Sequence, residues 1–548
     1  MIPWRSPRGP AALLLVAALG TLAGCAGTEE PDDAAAVPER RFVFANAAAA
    51  PTLDPALPST LETSRIAAQV LEGLVGADPS TGEPVPALAT SWEVSEDGRS
   101  YVFELRRDVR FHDGTVLDAG AVCANFERWA GLGAGAGRTT FDTVFRTNTP
   151  GTDPVYEGCT AEDPGTVALD LARRHTPTLR ALTQPAFGIA SPAALAAGTQ
   201  GTHPVGTGPF RYESGDGRHL VLRAHDGYWG ELGDIGTLEF RTVPEAQLRY
   251  VALRRGEVDG YDQVGLESFV PLARHGIQVL QRDPYSVSYL GINQAVPPLD
   301  DPQVRTALAA AVDRSMIVRE HYPDGTRVAD DFLPARFAMD GTEAALPAYD
   351  PQRARELLAE SGYDGEPLRF YYPRETSRPY MQEPEKVYAD IAAQLVRAGF
   401  TVEPVPVAWS DGYVEKVQDP GGDHALHLLG WNGGHRDPDY FMAPLFGAAH
   451  GEFGLDRPSL FAAVDDAAAM PDGEARARAY ARLNDRVTRL LPAVPLAHPV
   501  SAVAVAGSVA SFPLTSTGYE EFNDVRLHPA GPDGTGGPSP AEPAGDGG

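Results

Sequence analysis

Three stretches in the second half of the chain share one grammar, and it restricts that half to helices that hand over to strands. Asp301-Pro302 is followed by Val304, Leu308 and Val312: a capping side chain, proline at the first helical position, and apolar residues four apart on one face. Asp350-Pro351 repeats the pattern with Ala354, Leu357 and Leu358, and Gly362 supplies the stop. A third helix is expected from about Pro384 through Val387, Ile391 and Leu395 to Gly399, leading at once into the extended segment Phe400 to Val407. Helix followed by strand is the unit of an α/β body.

The first half reads as strand-rich. Trp92 to Val94, the turn Asp97-Gly98, and Tyr101 to Leu105 spell a hairpin with Tyr101, Phe103 and Leu105 on one face. Further strands are expected at 42–45, 166–171, 219–223, 237–243 and 286–292. At 548 residues, 43% of them apolar, the chain exceeds one ordinary core, and two or three domains follow. The boundary between the halves is placed near Pro297-Pro298, after the strand that ends at Asn293, and no fixed-period repeat is found.

Leu22-Ala23-Gly24-Cys25 follows Arg5, Arg8 and the apolar run Ala11 to Leu19, which reads as a lipoprotein export signal over residues 1–24. The run is well short of the ~20 residues that a spanning helix needs. A diacylglyceryl group on Cys25 would supply two acyl chains, enough for stable anchoring. Removing residues 1–24, which carry two arginines and no acid, takes the formal charge from -29 to -31. Such a chain lacks the basic footprint that neutralises phosphates, so nucleic acid is not an expected partner, and self-repulsion favours a soluble monomer. Besides Cys25 only Cys123 and Cys159 remain, and an oxidising compartment favours a disulfide between them over a pair of buried, unlinked thiols. Residues 25–40 read as a flexible tether, and 530–548, rich in Gly, Pro, Ala and Asp, as a disordered tail.

Catalytic signatures are scarce. There is no G-x-S-x-G elbow, no H-E-x-x-H and no phosphate loop, since Gly206-Thr-Gly-Pro-Phe210 lacks the lysine and reads as a turn before a strand. His424 and His427, beside Asp423, could form half a metal site on a helix, but read better as surface residues where a strand begins. His112-Asp113-Gly114 reads as a turn. Neither metal nor cofactor is expected. Two clusters do carry recognition chemistry: the loop Gly430-Trp431-Asn432-Gly433-Gly434-His435-Arg436-Asp437-Pro438-Asp439-Tyr440-Phe441, and the segment from Tyr371-Tyr372-Pro373-Arg374 to Ser377-Arg378-Pro379-Tyr380. Aromatic rings offer contact area, and a guanidinium can grip a carboxylate through two parallel charge-assisted bonds. A packed loop with incidental charge is the alternative for both.

With these blocks in view, the chain from about Arg41 to about Pro529 resembles the family 5 extracytoplasmic solute-binding proteins of ABC importers, the peptide and nickel group. The likeness rests on Leu53-Asp-Pro55, Leu71-Glu-Gly-Leu74, Ala87 to Gly98, Val109 to Thr115, Pro204 to Phe210, Gly256 to Tyr261, Asp301 to Asp313 and the Gly430-Trp431 loop. The resemblance implies a type II periplasmic-binding fold, two α/β lobes that close over a ligand like a hinge. Lobe one would hold 41–293, with an extra subdomain at about 86–203 and a returning segment at 497–529, and lobe two would span 294–496. The function implied is the capture of peptides or peptide-like solutes and their delivery to a membrane permease driven by an ATPase on other chains, with no covalent chemistry.

The resemblance also implies site residues. Dipeptide-binding members carry an arginine in an Arg-Pro-Tyr context that meets the ligand carboxylate, and Arg378-Pro379-Tyr380 matches it. Trp431, Asn432 and Gly433 are the matching part of the binding loop. Those members place an aspartate three residues after the loop tryptophan to hold the ligand ammonium, whereas here that residue is Gly434. Either Asp437 or Asp439 substitutes for it, with Asp437 the expected one, or the ligand has no free amino terminus. The remaining readings are a carrier for a nickel chelate or glycoside, and, from another class, a cell-surface hydrolase.

Overall fold

The computed structural model describes residues 40–58, 60–132, 139–147, 152–337, 344–449 and 451–529. The expected export signal, Cys25 and the tail lie outside them.

Two α/β lobes each wrap one mixed sheet. The sheet of lobe one has seven strands, in the order Gln278–Arg282, Ser501–Val505, Gly260–Asp262, Arg40–Asn46, Ile235–Thr242, His219–Ala224, Phe210–Gly215. Its central strand Arg40–Asn46 runs parallel to both neighbours. It puts Phe42 and Phe44 into one core and Val43 and Ala45 into another, so the sheet is covered on both faces and the strand reads as a continuous apolar run. Lobe two has six strands, ordered Arg327–Val328, Ala493–His498, Ser286–Ile292, Leu426–Asn432, Leu368–Arg374, Val402–Ala408.

The helix grammar of the second half is realised in Pro302–Ala311, Pro351–Ser361 and Pro384–Ala398. Asp301 accepts from the backbone N–H of Gln303 at 2.7 Å, and Asp350 from those of Gln352 and Arg353, the capping bonds that the two Asp-Pro pairs imply. Gly362 (φ 76°) and Gly399 (φ 105°) end their helices in the left-handed region that favours glycine.

The chain crosses between the lobes twice. Strand Gln278–Arg282 continues through Asp283-Pro284-Tyr285 into Ser286–Ile292, and Ala493–His498 returns through Pro499-Val500 into Ser501–Val505. The crossovers lie side by side: Arg282 is opposite Ser501 in one sheet, and Ser288 is opposite Ala497 in the other. The expected boundary at 293 is therefore corrected to 283–285, because Ser286–Ile292 pairs in the second sheet. The return to lobe one likewise falls at 499–500.

A four-stranded antiparallel sheet, Ala89–Val94, Ser100–Leu105, Thr166–Leu171 and Tyr156–Asp163, forms the extra subdomain with helix Ala119–Gly131. Cys123 on that helix and Cys159 on the edge strand are bonded, with S–S 2.04 Å. No helix among the described residues is long and apolar enough to cross a membrane.

Candidate ligand-binding site

Strand Leu368–Arg374 of lobe two leads into the segment that carries Arg378. The chain then tightens: Arg378 and Met381 exchange both backbone hydrogen bonds (3.1 and 2.9 Å), with Pro379 and Tyr380 as the two loop residues. This small hairpin fixes where Arg378 points. Its guanidinium lies over the Trp409 ring, 4.1 Å from the centroid, a geometry that favours a cation. It is 7% exposed, and its Nε has no hydrogen-bond partner. Across the lobe boundary stands Glu62, whose Oε2 is 3.9 Å from Arg378 Nη1.

Tyr380 is buried against Gly430, where a Cβ would come within 2.3 Å of the tyrosine ring. Trp431, the next residue of the same strand, is half-buried and donates from Nε1 to the Tyr440 carbonyl at 2.9 Å. The backbone N–H of Gly433 donates to the Tyr285 carbonyl at 2.7 Å, and a Cβ there would meet the Tyr285 ring at 2.1 Å. Glycine is required at both positions by close approach.

Asn432 and Pro379 from lobe two, Leu61 and Thr517 from lobe one, and Asp283 and Pro499 from the crossovers line a cleft between the lobes. Its free space is about 20 Å³, room for about one water, and the lobes meet directly, Arg180 of lobe one bonding Asp472 of lobe two at 2.8 Å. The Oδ1 of Asn432 is buried without a hydrogen-bond partner.

The structure separates Asp437 from this cleft. Its Oδ1 accepts from Arg476 Nη2 at 2.7 Å and from the Asp439 backbone N–H at 2.9 Å, and its Oδ2 lies 3.7 Å from Arg180 of lobe one. Burial lowers the affinity of Arg476 for its proton, but Asp437 and its neighbours outweigh it and hold the group more firmly charged than an ordinary arginine. Asp439 accepts from the Tyr480 hydroxyl at 3.0 Å. Position 434 has no room for an acid in this conformation: a Cβ on Gly434 would be 2.6 Å from the Tyr440 hydroxyl and 2.7 Å from Gln184 Oε1, the latter on lobe one.

Beside the crossovers, four fully buried charges form one network. Arg282 donates from Nη1 to Asp262 and from Nε to Glu520, each at 2.7 Å, while Arg65 bonds Asp262 and reaches Asn46 at 2.9 Å. Burial pushes the Asp262 carboxyl up, yet Arg282 and Arg65 outweigh it and hold the group below the usual carboxylate range.

His424 and His427 are not surface residues. Both are fully buried and bond Glu452, His427 Nε2 to its Oε1 at 3.3 Å and His424 Nε2 to its carbonyl at 3.1 Å. Strand Leu426–Asn432 lies inside the sheet, which buries what the sequence reading left outside. Among the described residues no group of three or more His, Cys, Asp or Glu is placed to hold a metal.

Glu62 is the residue of this candidate site that sequence reasoning missed. It follows Thr60, which caps helix Leu61–Val70, and an acid in a first helical turn reads as ordinary dipole complementation. Its complete burial and its position opposite Arg378 arise only from the meeting of the lobes.

Two lobes on paired crossovers, with Glu62 of one facing Arg378 of the other beside a cleft, define a type II periplasmic-binding fold. A solved dipeptide-binding protein from Pseudoalteromonas sp. SM9913, in complex with Met-Leu, matches with a TM-score of 0.80 at 24% identity, over 89% of this chain and all of that one. Residues 83–453 match the model of the bacterial extracellular solute-binding proteins, family 5 middle region, and the chain belongs to that family. It is similar to the dipeptide-binding protein of Escherichia coli (28% identical, 82% of this chain and 87% of that one). It is equally similar to the heme-binding protein A of Haemophilus influenzae (28%, 94% and 99%). It is thus an extracytoplasmic solute-binding protein and not an enzyme.

Proposed function

We propose that this protein is the substrate-binding subunit of an ABC importer for peptides or peptide-like solutes, held to the membrane by a lipid on Cys25 and delivering its ligand to a separate permease. The observation that carries the ligand class is Arg378: buried, oriented by its hairpin and Trp409, and left with an unpartnered Nε beside a cleft between two lobes. A desolvated guanidinium so placed suits a ligand carboxylate. The dipeptide-binding relatives support the same class. Gly434 favours a second reading, a solute without a free amino terminus, because the residue offers no acid.

A bound ligand stabilises only the folded form, so thermal shift reports binding directly. Short peptides should raise Tm, and C-terminal amidation should abolish the shift. Removing one partner of a desolvated charge pair costs ~2–5 kcal/mol, so Arg378→Ala should weaken binding thirtyfold or more. Equal binding of free and amidated peptides would remove the arginine from this role. For the anchor, the intact mass of the mature protein should begin at Cys25 with a diacylglyceryl adduct, and Cys25→Ser should release the protein into the medium. An unmodified terminus cut elsewhere would remove the anchor.

A further inference from the structure

Glu62 is completely buried, and neither carboxylate oxygen has a hydrogen-bond partner. It stands in the first turn of its helix, yet the backbone N–H of Thr63 is taken by the Thr60 side chain, and the Glu62 carboxylate turns instead toward lobe two. There it faces Arg378 at 3.9 Å, too far for a hydrogen bond, while Arg378 keeps its own Nε unpartnered. A buried carboxylate without hydrogen bonds is costly, and a chain keeps one where something else satisfies it. The residues next to the two charges, Leu61 and Pro379, both line the interlobe cleft. An anion on one lobe and a cation on the other therefore flank the space that a ligand must enter.

We propose that Glu62 receives the cationic group of the ligand, with Arg378 on its carboxylate, so that the site selects zwitterions. The assignment rests on the peptide reading above. It accounts for two facts together: position 434 has no acid and no room for one, and Asp437 is held by Arg476 away from the cleft. Where the lobes meet, the two charges face each other at 3.9 Å. A zwitterion entering between them gives each a partner and lets the same two lobes close on it, whereas a neutralised amine leaves the Glu62 carboxylate buried and unmet.

The test uses the full chain and three dipeptides, Met-Leu, Ala-Leu and Ala-Ala, each free, N-acetylated and C-amidated, with affinity measured by calorimetry. The parent protein should bind free peptides at least about thirtyfold more tightly than N-acetylated ones. The isosteric Glu62→Gln variant should lose most of that ratio while keeping its sensitivity to amidation. If Glu62 served only to latch the lobes, the variant would weaken free and acetylated peptides alike and the ratio would stand, which overturns the proposal. The ligand-side comparison needs no variant: acetylated and free peptides bound equally by the parent remove Glu62 from this role and leave Arg378 in its own. Failure of every free peptide to bind the parent removes the peptide reading and this assignment with it.

Discussion

Asp439 sits where two ionisations oppose each other. Burial pushes its carboxyl up to about 6, with Arg146 and Arg476 offsetting only part of the effect. Its folded form therefore holds a proton that the unfolded chain has released, so its share of stability is present in acid and lost as pH rises through about 6. His435 behaves in the opposite sense: burial lowers it to about 4, so its share is present above its ordinary 6.5 and lost as pH falls through about 4. Between pH 4 and 6 the two slopes work against each other. Asp439→Asn should leave only the rising one, so that the urea midpoint climbs with pH across that window more steeply than in the parent. Parallel curves for the two proteins would sink the assignment. The residues of the candidate site were unequally legible at this scale. Arg378 announces itself because Arg-Pro-Tyr is a local pattern, and its hairpin is local too. Glu62 does not, because its partner is more than three hundred residues away in sequence and its neighbours spell a normal helix start.

Among elements, helices and their caps were readable because capping bonds join residues two or three apart. The hairpin over 89–105 was readable for the same reason, with Gly98 at φ 67° making the turn that Asp97-Gly98 implies. Strand Ser286–Ile292 was recognised as a strand but assigned to the wrong lobe. All seven of its residues are buried, so neither alternation nor a polar face records which sheet it joins. The strand that feeds it ends in Arg282, the residue that ties Asp262 to Glu520. Arg282→Met would leave two buried carboxylates to Arg65 alone. Removing one member of a buried ionic group costs ~3–5 kcal/mol, and urea unfolding should show a loss of that order. A loss below about 1 kcal/mol would mean that the network is not what steadies this end of the crossover.

Across the whole molecule, closure is sealed well away from the cleft. Thr176 of the extra subdomain donates from its backbone N–H to Ala468 and from its hydroxyl to Met470, at 2.9 and 2.6 Å, and Arg180 bonds Asp472 at 2.8 Å. Arg436 of lobe two donates in return to the Ser80 carbonyl at 2.5 Å. The subdomain is thus part of the clasp, a role that the sequence hid because each half of every bond lies in a different lobe. The crossovers carry one more implication, for the order in which the molecule comes into being. Lobe two is a single uninterrupted stretch, from Ser286 to His498, whereas the sheet of lobe one takes its strand Ser501–Val505 between Gly260–Asp262 and Gln278–Arg282. A chain delivered amino end first can complete the later lobe before the earlier one, whose sheet stays open until residue 505 arrives and slots between strands that have been waiting for it.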